Sequence, residues 1–379
     1  MNCKIGILTF HKSINYGSVL QAYALQNLLL KEGYKVEIID YEPKNYANMY
    51  IPFKKPTTIW NILHNLNRVP VGKIIKEQNE EFKKFRDTYI NLSREYNFES
   101  YYSDIFSQFD CVICGSDQVW NITLDDCDDI FFLPCVKNIK KIAYAVSVND
   151  AKFNSCIRDI DLKKCISEFN YISCREKSGA TKISNFIAKE DVAVTIDPTL
   201  LHSAREYDGI CSKRIINQNY IFLYDMWSNS DALYAAKVIS TLFNLPVYTL
   251  FTKRNVKSMI KISKYGVKVI TKNMSPTDFL SYIKYADFVI TDSFHGTAFS
   301  LIFEKQFVCI NEKQNSGKFK NDERITNILS ELNINERYLR VDNIHSVKDL
   351  DNINYDIVTE KRKKLAKKSI DWLLKAIEE

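Results

Sequence analysis

The sequence predicts an α/β protein in which two domains each contain a parallel β-sheet. Short apolar runs rich in β-branched residues alternate with helix-like segments almost throughout the chain, which is typical of parallel sheets covered by helices. A length of 379 residues is enough for two domains, each with its own core. Phe109–Asp117 and Ala286–Phe294 also share Asp, Val, Ile and Ser in register. This similarity between the two segments suggests that each domain carries a strand ending in a polar turn, with an interdomain cleft between the turns.

The first predicted elements form a βαβ unit. Lys4–Thr9 is predicted as a strand, Ser18–Lys31 as a helix that ends at Gly33, and Val36–Tyr41 as the next strand.

The regular alternation of predicted strands and helices returns after an interruption. Its predicted elements in this half are strands at Cys111–Cys114, Ile142–Ser147, Tyr171–Ser173 and Val192–Thr195, and a helix near Ile157–Glu168.

The interruption covers residues 43–105, which are polar and rich in aromatic residues. A helix is predicted at Lys73–Tyr89 because Ile74, Phe82 and Phe85 share one face at helical spacing. We interpret these residues as a helical insertion in the N-terminal domain and as a candidate lid over a site.

A polar, turn-rich stretch over residues 202–219 looks like a linker. It places an N-terminal domain at residues 1–205 and a C-terminal domain at residues 206–379. The second domain repeats the alternation of the first. Its predicted elements are strands at Tyr220–Tyr224, Val247–Phe251, Val267–Ile270, Phe288–Thr291 and Phe307–Ile310, and helices at Asp231–Phe243, Pro276–Tyr285, Thr297–Lys305 and Glu323–Leu332.

The composition excludes several classes of protein. Hydrophobic residues make up 46% of the chain and charged residues 26%, as in an ordinary globular protein. No apolar run is long enough to span a bilayer, and the chain enters a strand at once without a signal segment, so we expect a cytoplasmic protein. The net charge of +6 comes from dispersed basic residues, so we expect no nucleic-acid partner.

The ten cysteines are expected to be reduced and structural. Cys111 and Cys114 form a CxxC pair, but this pair lies inside a strand-like run, and no second cysteine pair or histidine pair completes a zinc site. We therefore expect neither a metal nor a cofactor.

The last predicted helix carries a basic cluster. Leu373 and Ile377 belong to an apolar stripe on its opposite side. One interpretation is a solvated face on a helix that packs through this stripe. The other is weak adsorption to an anionic membrane surface, at the inner face of the membrane. The cluster consists of Lys361, Arg362, Lys363, Lys364, Lys367 and Lys368.

The strand Phe288–Thr291 is followed by Asp292 and Ser293, which are typical helix-capping residues, and then by His295 and Gly296. This order predicts a histidine at a strand-to-helix turn, where α/β proteins bind anionic ligands. His295 is therefore a candidate to hold or protonate a phosphorylated substrate, and the alternative is that it only caps the helix.

Three further strand ends carry polar groups. Gly17 is expected to take strained backbone angles and Ser18 to cap the first helix. Asp117, within Gly115–Asn121, is a candidate base or hydroxyl anchor, with Trp120 as a stacking platform for a sugar; its alternative role is to brace the loop. Arg175 offers a planar fork for carboxylate or phosphate, unless it pairs with Glu176 or another surface acid.

Taken together and in this order, these motifs resemble those of the polysaccharide pyruvyl transferase family, over about residues 3–330. The combination is specific, whereas no single motif is. Several family members carry an arginine two residues before the histidine, and this sequence has Ser293 there. The motifs are Asn15–Gly17, Gly115–Asn121, Ser173–Gly179, Asp197–Thr199 and Asp292–Gly296.

The resemblance implies two Rossmann-like domains in a GT-B-like arrangement, and transfer of the enolpyruvyl-derived group of phosphoenolpyruvate onto sugar hydroxyls to form a pyruvate ketal in surface polysaccharide biosynthesis. It leaves open whether the sugar acceptor is lipid-linked or nucleotide-linked. The hypothesis assigns His295 and Asp117 to catalysis; Arg175, Lys177, Ser178, Ser293, Gly296, Thr297, Lys305 and Arg324 to donor binding, with Lys318 and Lys320 as further candidates; and Asn15, Tyr16, Gly17, Ser18, Ser116, Trp120 and Asn121 to acceptor binding.

Two alternatives remain open. A nucleotide-sugar glycosyltransferase of the same architecture would need contacts to a nucleotide diphosphate, for which Arg254, Lys257 and Arg324 are candidates. A non-catalytic glycan-binding protein would explain Ser293, but it would have no need to converge acids and cations at several strand ends.

Overall fold

A computed structural model describes residues 3–43, 53–134, 136–149, 153, 160–226, 228–252, 255–311 and 321–379. Two six-stranded sheets, with every recorded strand pair parallel, confirm the predicted α/β fold class. The chain divides into two compact units. The first unit comprises Met1–Tyr50, Arg86–His202 and Arg362–Glu379, and the second comprises Ile51–Phe85 and Ser203–Lys361.

The elements below are numbered in chain order. The strands are β1 (Lys4–Leu8), β2 (Lys35–Ile38), β3 (Tyr41–Glu42), β4 (Tyr96–Asn97), β5 (Cys111–Cys114), β6 (Lys140–Val146), β7 (Tyr171–Cys174), β8 (Val192–Val194), β9 (Ile221–Tyr224), β10 (Val247–Leu250), β11 (Lys268–Ile270), β12 (Phe288–Thr291), β13 (Phe307–Asn311) and β14 (Tyr338–Arg340). The helices are α1 (Tyr16–Lys31), α2 (Ile59–Arg68), α3 (Gly72–Tyr89), α4 (Tyr102–Phe106), α5 (Leu162–Ser167), α6 (Lys177–Ile187), α7 (Ala204–Asp208), α8 (Ser230–Phe243), α9 (Val256–Lys264), α10 (Pro276–Lys284), α11 (Phe294–Ile302), α12 (Glu323–Leu332) and α13 (Tyr355–Glu378).

The first sheet has the strand order β2-β1-β5-β6-β7-β8. The chain leaves β1 toward β2 on one side and later returns to β5 on the other side, so the topological switch point lies between β1 and β5. Leu8 and Cys114 are register partners there. The residues that follow them, Thr9 and Gly115–Asp117, therefore lie at the edge where open α/β sheets bind ligands.

The second sheet has the order β11-β10-β9-β12-β13-β14, which is the doubly wound order of nucleotide-binding folds. Its switch point lies between β9 and β12, where Tyr224 and Thr291 are register partners. The turn that contains His295 follows β12 directly. The fold thus places this turn at the switch point of its own sheet.

Two helices that follow switch-point strands, α1 and α11, begin earlier than the sequence predicts. Asn15 is the N-cap of α1, and its side chain accepts a hydrogen bond from the Gly17 N–H at 3.0 Å. Ser18 therefore does not cap the helix, and Gly17 lies inside its first turn, so both of these predictions are wrong. Similarly, α11 begins at Phe294 rather than at Thr297.

Two segments belong to units other than those expected from chain order. Residues 51–85 group with the second unit, in which the Gln78 side chain donates to the Phe251 carbonyl at 3.3 Å and the Met274 N–H donates to Glu81 at 2.7 Å. Residues 362–379 group with the first unit, where Lys140 Nζ donates to the Ile377 carbonyl at 2.7 Å. These contacts place part of the insertion with the second domain; its role as a lid stays a prediction.

The packing of α13 agrees with a solvated basic face. Leu373 and Ile377 are buried, while Lys363, Lys364, Lys367 and Lys368 are exposed. Arg362 does not belong to that face, because its guanidinium is buried and donates to the carbonyls of Leu200 and His202 at 3.1 and 2.7 Å. The apolar side of α13 is thus used for packing within the first unit.

All cysteines in the part of the chain that the structure describes are free thiols, as expected. Cys111 and Cys114 are buried in β5, and burial raises the pKa of Cys111 to about 12, which keeps this thiol protonated and unreactive. No helix among the described residues is long and apolar enough to cross a membrane.

Candidate active site

At the edge of the first sheet, Asp117 accepts hydrogen bonds from helix α1 and from the loop that follows β5. The Ser18 hydroxyl on α1 donates to Asp117 Oδ2 at 2.6 Å, and the Gln118 N–H donates to Oδ1 at 2.9 Å. Thr9 Oγ1 donates to the Ser116 carbonyl at 2.9 Å, which joins the ends of β1 and β5. Asp117 is 5% exposed and has a φ of 75°. The carboxylate is therefore fixed in one orientation at the switch point.

Arg175 reaches the same edge from the end of β7. Its Nη2 lies 2.7 Å from Asp197 Oδ2, 2.8 Å from Ser116 Oγ and 4.0 Å from Asp117 Oδ1. The arginine thus pairs with a buried acid, Asp197, rather than with Glu176. With two carboxylates around one guanidinium, the cluster is net negative when ionised, which suits neutral hydroxyl groups better than a polyanionic donor.

Asp197 completes this cluster, although its sequence motif indicates no specific role for it. The N–H and hydroxyl of Thr199 donate to its Oδ1 at 2.9 and 2.6 Å, and the side chain is 0% exposed. The available signal was the Asp197-Pro198 step after β8, because an aspartate before proline is a typical cap for a turn. Its pairing with Arg175 joins the ends of the neighbouring strands β7 and β8, and the Asp-Pro motif does not predict that contact.

Several predicted acceptor residues serve packing instead. Trp120 is fully buried: its ring stacks on Phe132 and its Nε1 donates to the Phe131 carbonyl at 2.9 Å, so the prediction that a sugar stacks on it is wrong. Tyr16 is also buried in the core, at 2% exposure. Asn121 braces the loop through a 2.9 Å hydrogen bond to the Gln118 side chain.

The edge of the second sheet joins the ends of β9 and β12. Thr291 Oγ1 donates to the Tyr224 carbonyl at 2.8 Å, and the Met226 N–H donates to Asp292 Oδ1 at 3.1 Å. Asp225, which follows β9 as Asp292 follows β12, is 3% exposed and was missed in the sequence. Two carboxylates thus follow neighbouring strands at this switch point.

His295 lies in the first turn of α11, two residues after its N-cap. Ser293 occupies the N-cap position, so the alternative that His295 only caps the helix is wrong. The imidazole is 6% exposed and meets the Phe294 ring edge-on, with ring centroids 5.2 Å apart. A buried imidazole beside the amino end of a helix can transfer a proton to a ligand that the helix end attracts.

The Cα of Gly296 and the side chain of Thr297 pack against the sheet. A Cβ built on Gly296 would lie 2.2 Å from Thr291 Oγ1 and 3.0 Å from the Tyr224 ring, so the glycine permits close packing of α11 on β12. The Thr297 hydroxyl is buried, donates to the Ser293 carbonyl at 3.0 Å and contacts Cys309 Sγ at 3.0 Å. The assignment of Thr297 to donor binding is therefore wrong.

Replacing Gly296 with alanine should lower the free energy of unfolding by about 1–3 kcal/mol, as overpacking does, despite the better helix propensity of alanine. Thr291 cannot easily move aside, because its Oγ1 also accepts from the Ser293 N–H at 3.0 Å. Urea unfolding measures the change. Gly209→Ala is the matched control, since Gly209 has a φ of −63° and a Cβ there meets only the Glu206 carbonyl, at 3.9 Å. Equal stability of both variants would contradict the packing argument.

Lys305 and Arg324, two of the predicted donor-binding cations, each contact a partner of their own. Lys305 follows the other end of α11, and its Nζ donates to the Lys284 carbonyl at 3.1 Å, so its assignment to donor binding is wrong. Arg324 donates from Nε and Nη2 to the two carboxylate oxygens of Asp322, at 2.9 and 2.6 Å. This ion pair offsets the charge of the arginine. Lys177 and Ser178 begin α6, with Lys177 exposed. Arg254, Lys318 and Lys320 lie outside the described residues.

The sequence profile described as "Polysaccharide pyruvyl transferase" matches residues 15–314, which is most of the chain. The chain belongs to the polysaccharide pyruvyl transferase family. The family resemblance inferred from the motifs is thereby confirmed, and with it a transferase class. The matched region extends from Asn15, the N-cap of α1, past the polar turn after β5 to His295 in the first turn of α11. No curated protein matches this family member in sequence.

Solved structures similar to this pyruvyl transferase family member show its fold. A putative UDP-N-acetylglucosamine 2-epimerase from Listeria monocytogenes has a TM-score of 0.54 at 9% identity, covering 100% of this chain and 96% of that one. An α-glucosyltransferase solved with UDP and a 13-mer DNA has a TM-score of 0.54 at 10% identity, with 100% of both chains covered. A UDP-GlcNAc 2-epimerase from Neisseria meningitidis has a TM-score of 0.50 at 8% identity, covering 100% and 99%. These likenesses confirm the GT-B-like fold class.

Proposed function

We propose that this protein transfers the enolpyruvyl-derived group of phosphoenolpyruvate onto two hydroxyls of one sugar and closes a pyruvate ketal. The family match over residues 15–314 carries the proposal, because it covers the buried histidine at the amino end of α11. The acceptor is a sugar of a surface polysaccharide or of its precursor.

The chemistry needs an acid for the donor and a base or anchor for the acceptor. His295 protonates the methylene carbon of the enol, which leaves an oxocarbenium-like carbon bearing the phosphate and the carboxylate. A sugar hydroxyl adds to that carbon and loses its proton. Phosphate then leaves with the electrons of its C–O bond, and the second hydroxyl adds to the same carbon, again losing a proton, to close the ring.

Asp117 is the proposed anchor and base for the acceptor hydroxyls. Its two oxygens already accept hydrogen bonds from Ser18 and from the Gln118 N–H, which orient the carboxylate and leave further lone pairs. Arg175, between Asp117 and Asp197, positions this group instead of binding the donor. This role for Arg175 differs from the one that the family resemblance implies.

The donor carries several negative charges and needs compensating groups near His295. Ser293 provides no cation, in contrast to the arginine of several family members. We propose that the first N–H groups of α11, with the half-buried Ser293 hydroxyl, supply donor contacts, because helix amino ends attract anions.

The decisive experiment measures phosphate release from phosphoenolpyruvate across a panel of sugar acceptors, including UDP-sugars and lipid-linked galactosides. We expect release that depends on the acceptor and a product that gains one pyruvate as a ketal. Thermal shifts with phosphoenolpyruvate, UDP-sugars and GDP-sugars are measured in parallel. Stabilisation by a nucleotide sugar alone, with sugar transfer and no phosphate release, would establish the glycosyltransferase alternative instead.

A further inference from the structure

Helix α2 presents its apolar side to solvent. Ile59, Trp60, Leu63 and Leu66 are 69%, 77%, 46% and 62% exposed, and none of the residues in this helix is buried. Their spacing, together with Ile62, puts these side chains on one stripe of the helix. A monomeric protein rarely leaves so many large apolar side chains together in water, so this stripe is a candidate interaction surface.

The polar side of α2 holds the helix in this orientation. The Asn65 side chain accepts from the Lys54 N–H at 2.9 Å and donates to the Lys54 carbonyl at 2.7 Å. Asn61 donates to the Lys55 carbonyl at 2.8 Å, and Thr58 caps the helix by accepting from the Asn61 N–H. Because the polar residues bond to the preceding segment, the apolar stripe faces outward.

An apolar groove of about 620 Å³ lies next to α2, between the residues that follow this helix and α9, which contacts α2. The exposed Ile260 lies on its rim, at 54% exposure. We call the stripe and the groove together the α2 surface. The groove is lined by Pro70, Val71, Ile74, Val256, Met259, Ile260, Ser263 and Lys264.

The charge around the α2 surface is mainly positive. Residues 53–76 and 255–268, which form α2, the start of α3, α9 and their flanks, contain nine lysines and arginines and no aspartate or glutamate. The chain as a whole has a net charge of only +6, so the rest of it is net negative. Lys73 and Lys76 lie near Glu77 and Glu80 at 3.8 and 3.9 Å but keep 87% and 75% of their side chains exposed.

We propose that the α2 surface docks on the anionic surface of a lipid bilayer. An outward stripe of tryptophan, isoleucine and leucine with basic residues around it is the pattern of helices that lie in the membrane interface. A second copy of the chain would bring two basic rims together, which like-charge repulsion opposes. The α13 helix, in contrast, buries Leu373 and Ile377, and its exposed lysines are interspersed with exposed acidic residues such as Glu360 and Asp371.

Co-sedimentation of the full chain with lipid vesicles tests this proposal without donor or acceptor. We expect binding to vesicles of equal parts phosphatidylcholine and phosphatidylglycerol, weaker binding to phosphatidylcholine alone, and weakening by salt. Trp60→Glu should weaken binding about tenfold or more, because it replaces an inserted aromatic side chain with a charge. Each of Lys55→Gln and Lys257→Gln should weaken it about fivefold.

Ile357→Glu is the matched control, since Ile357 on α13 is 54% exposed but lies outside the α2 surface, and it should bind as the unchanged chain does. A joint Gln replacement of Lys363, Lys364, Lys367 and Lys368 should reduce binding less than Trp60→Glu. The proposal is overturned if Trp60→Glu binds vesicles normally, or if sedimentation velocity shows a lipid-free dimer that this substitution abolishes. Because Trp60→Glu should still release phosphate with a soluble acceptor, failure here is distinguishable from failure of the proposed reaction.

Discussion

His295→Gln is expected to reduce phosphate release from phosphoenolpyruvate by about a hundredfold or more, which is the usual contribution of a general acid. Glutamine retains a hydrogen-bonding side chain of similar reach but cannot transfer a proton at neutral pH. Since His295 is 6% exposed and lies inside the first turn of α11, a polar replacement also preserves the packing around it better than an alanine would.

The measurement is initial phosphate release at saturating donor and acceptor, together with thermal unfolding of the same samples. His345→Gln is the control, because His345 lies on the exposed surface of the 3₁₀ segment Val341–Asp349, and it should keep full turnover. An unchanged thermal midpoint with lost turnover supports the acid role. Full turnover of His295→Gln would remove the histidine from the mechanism and leave the helix end as a binding feature only.

The position of His295 could be predicted because its signals are local. A four-residue apolar run, two capping residues and a resumed helical period fix a strand-to-helix turn within one short segment. That this turn lies at the switch point of the second sheet depends on the strand order β9-β12, which no local pattern specifies. The sequence therefore predicts the turn itself, and only the strand order shows that the turn lies where such sheets bind ligands.

Trp120 shows why residue type alone misassigns a binding group. It follows a strand end among polar residues, a context that suits both a sugar platform and a core anchor. The structure places its ring against Phe132 and Phe169, partners that are 12 and 49 residues away along the chain. Periodicity does not predict such a contact, since the loop after β5 has no repeating pattern.

The sequence also does not predict which unit the inserted helix and the last helix belong to, for a related reason. An amphipathic face predicts that a helix packs on something, but it does not name the partner. Helix α3 interrupts the first alternating series, yet Gln78 and Glu81 bond to residues 251 and 274. Helix α13 ends the second series, yet Arg362 bonds to the carbonyls of residues 200 and 202. Chain order is therefore a guide to strand order here, and a poor guide to where terminal and inserted helices pack.

Asp197→Ala is expected to lower the free energy of unfolding by about 3–5 kcal/mol, because it leaves a buried guanidinium without its principal counter-charge. Arg175 and Asp197 keep only 2% and 0% of their side chains exposed, and their closest atoms are 2.7 Å apart. Asp117 lies 4.0 Å away and only partly replaces the lost charge. In Arg175→Met the reverse defect, a buried carboxylate without its cation, should cost a similar amount.

The fold offers a matched control for this pair. Lys284 and Asp208 are also 2.7 Å apart, but their side chains are 29% and 46% exposed. Asp208→Ala should therefore cost no more than about 1 kcal/mol, since water already screens both charges. Urea unfolding of the single variants and of the double variant Arg175→Met/Asp197→Ala measures the coupling. The double variant should lose less than the sum of the single losses, because neither charge is then left buried alone. A loss for Asp197→Ala as small as that for Asp208→Ala would contradict this argument and show that Arg175 is stabilised mainly by Ser116 and Asp117.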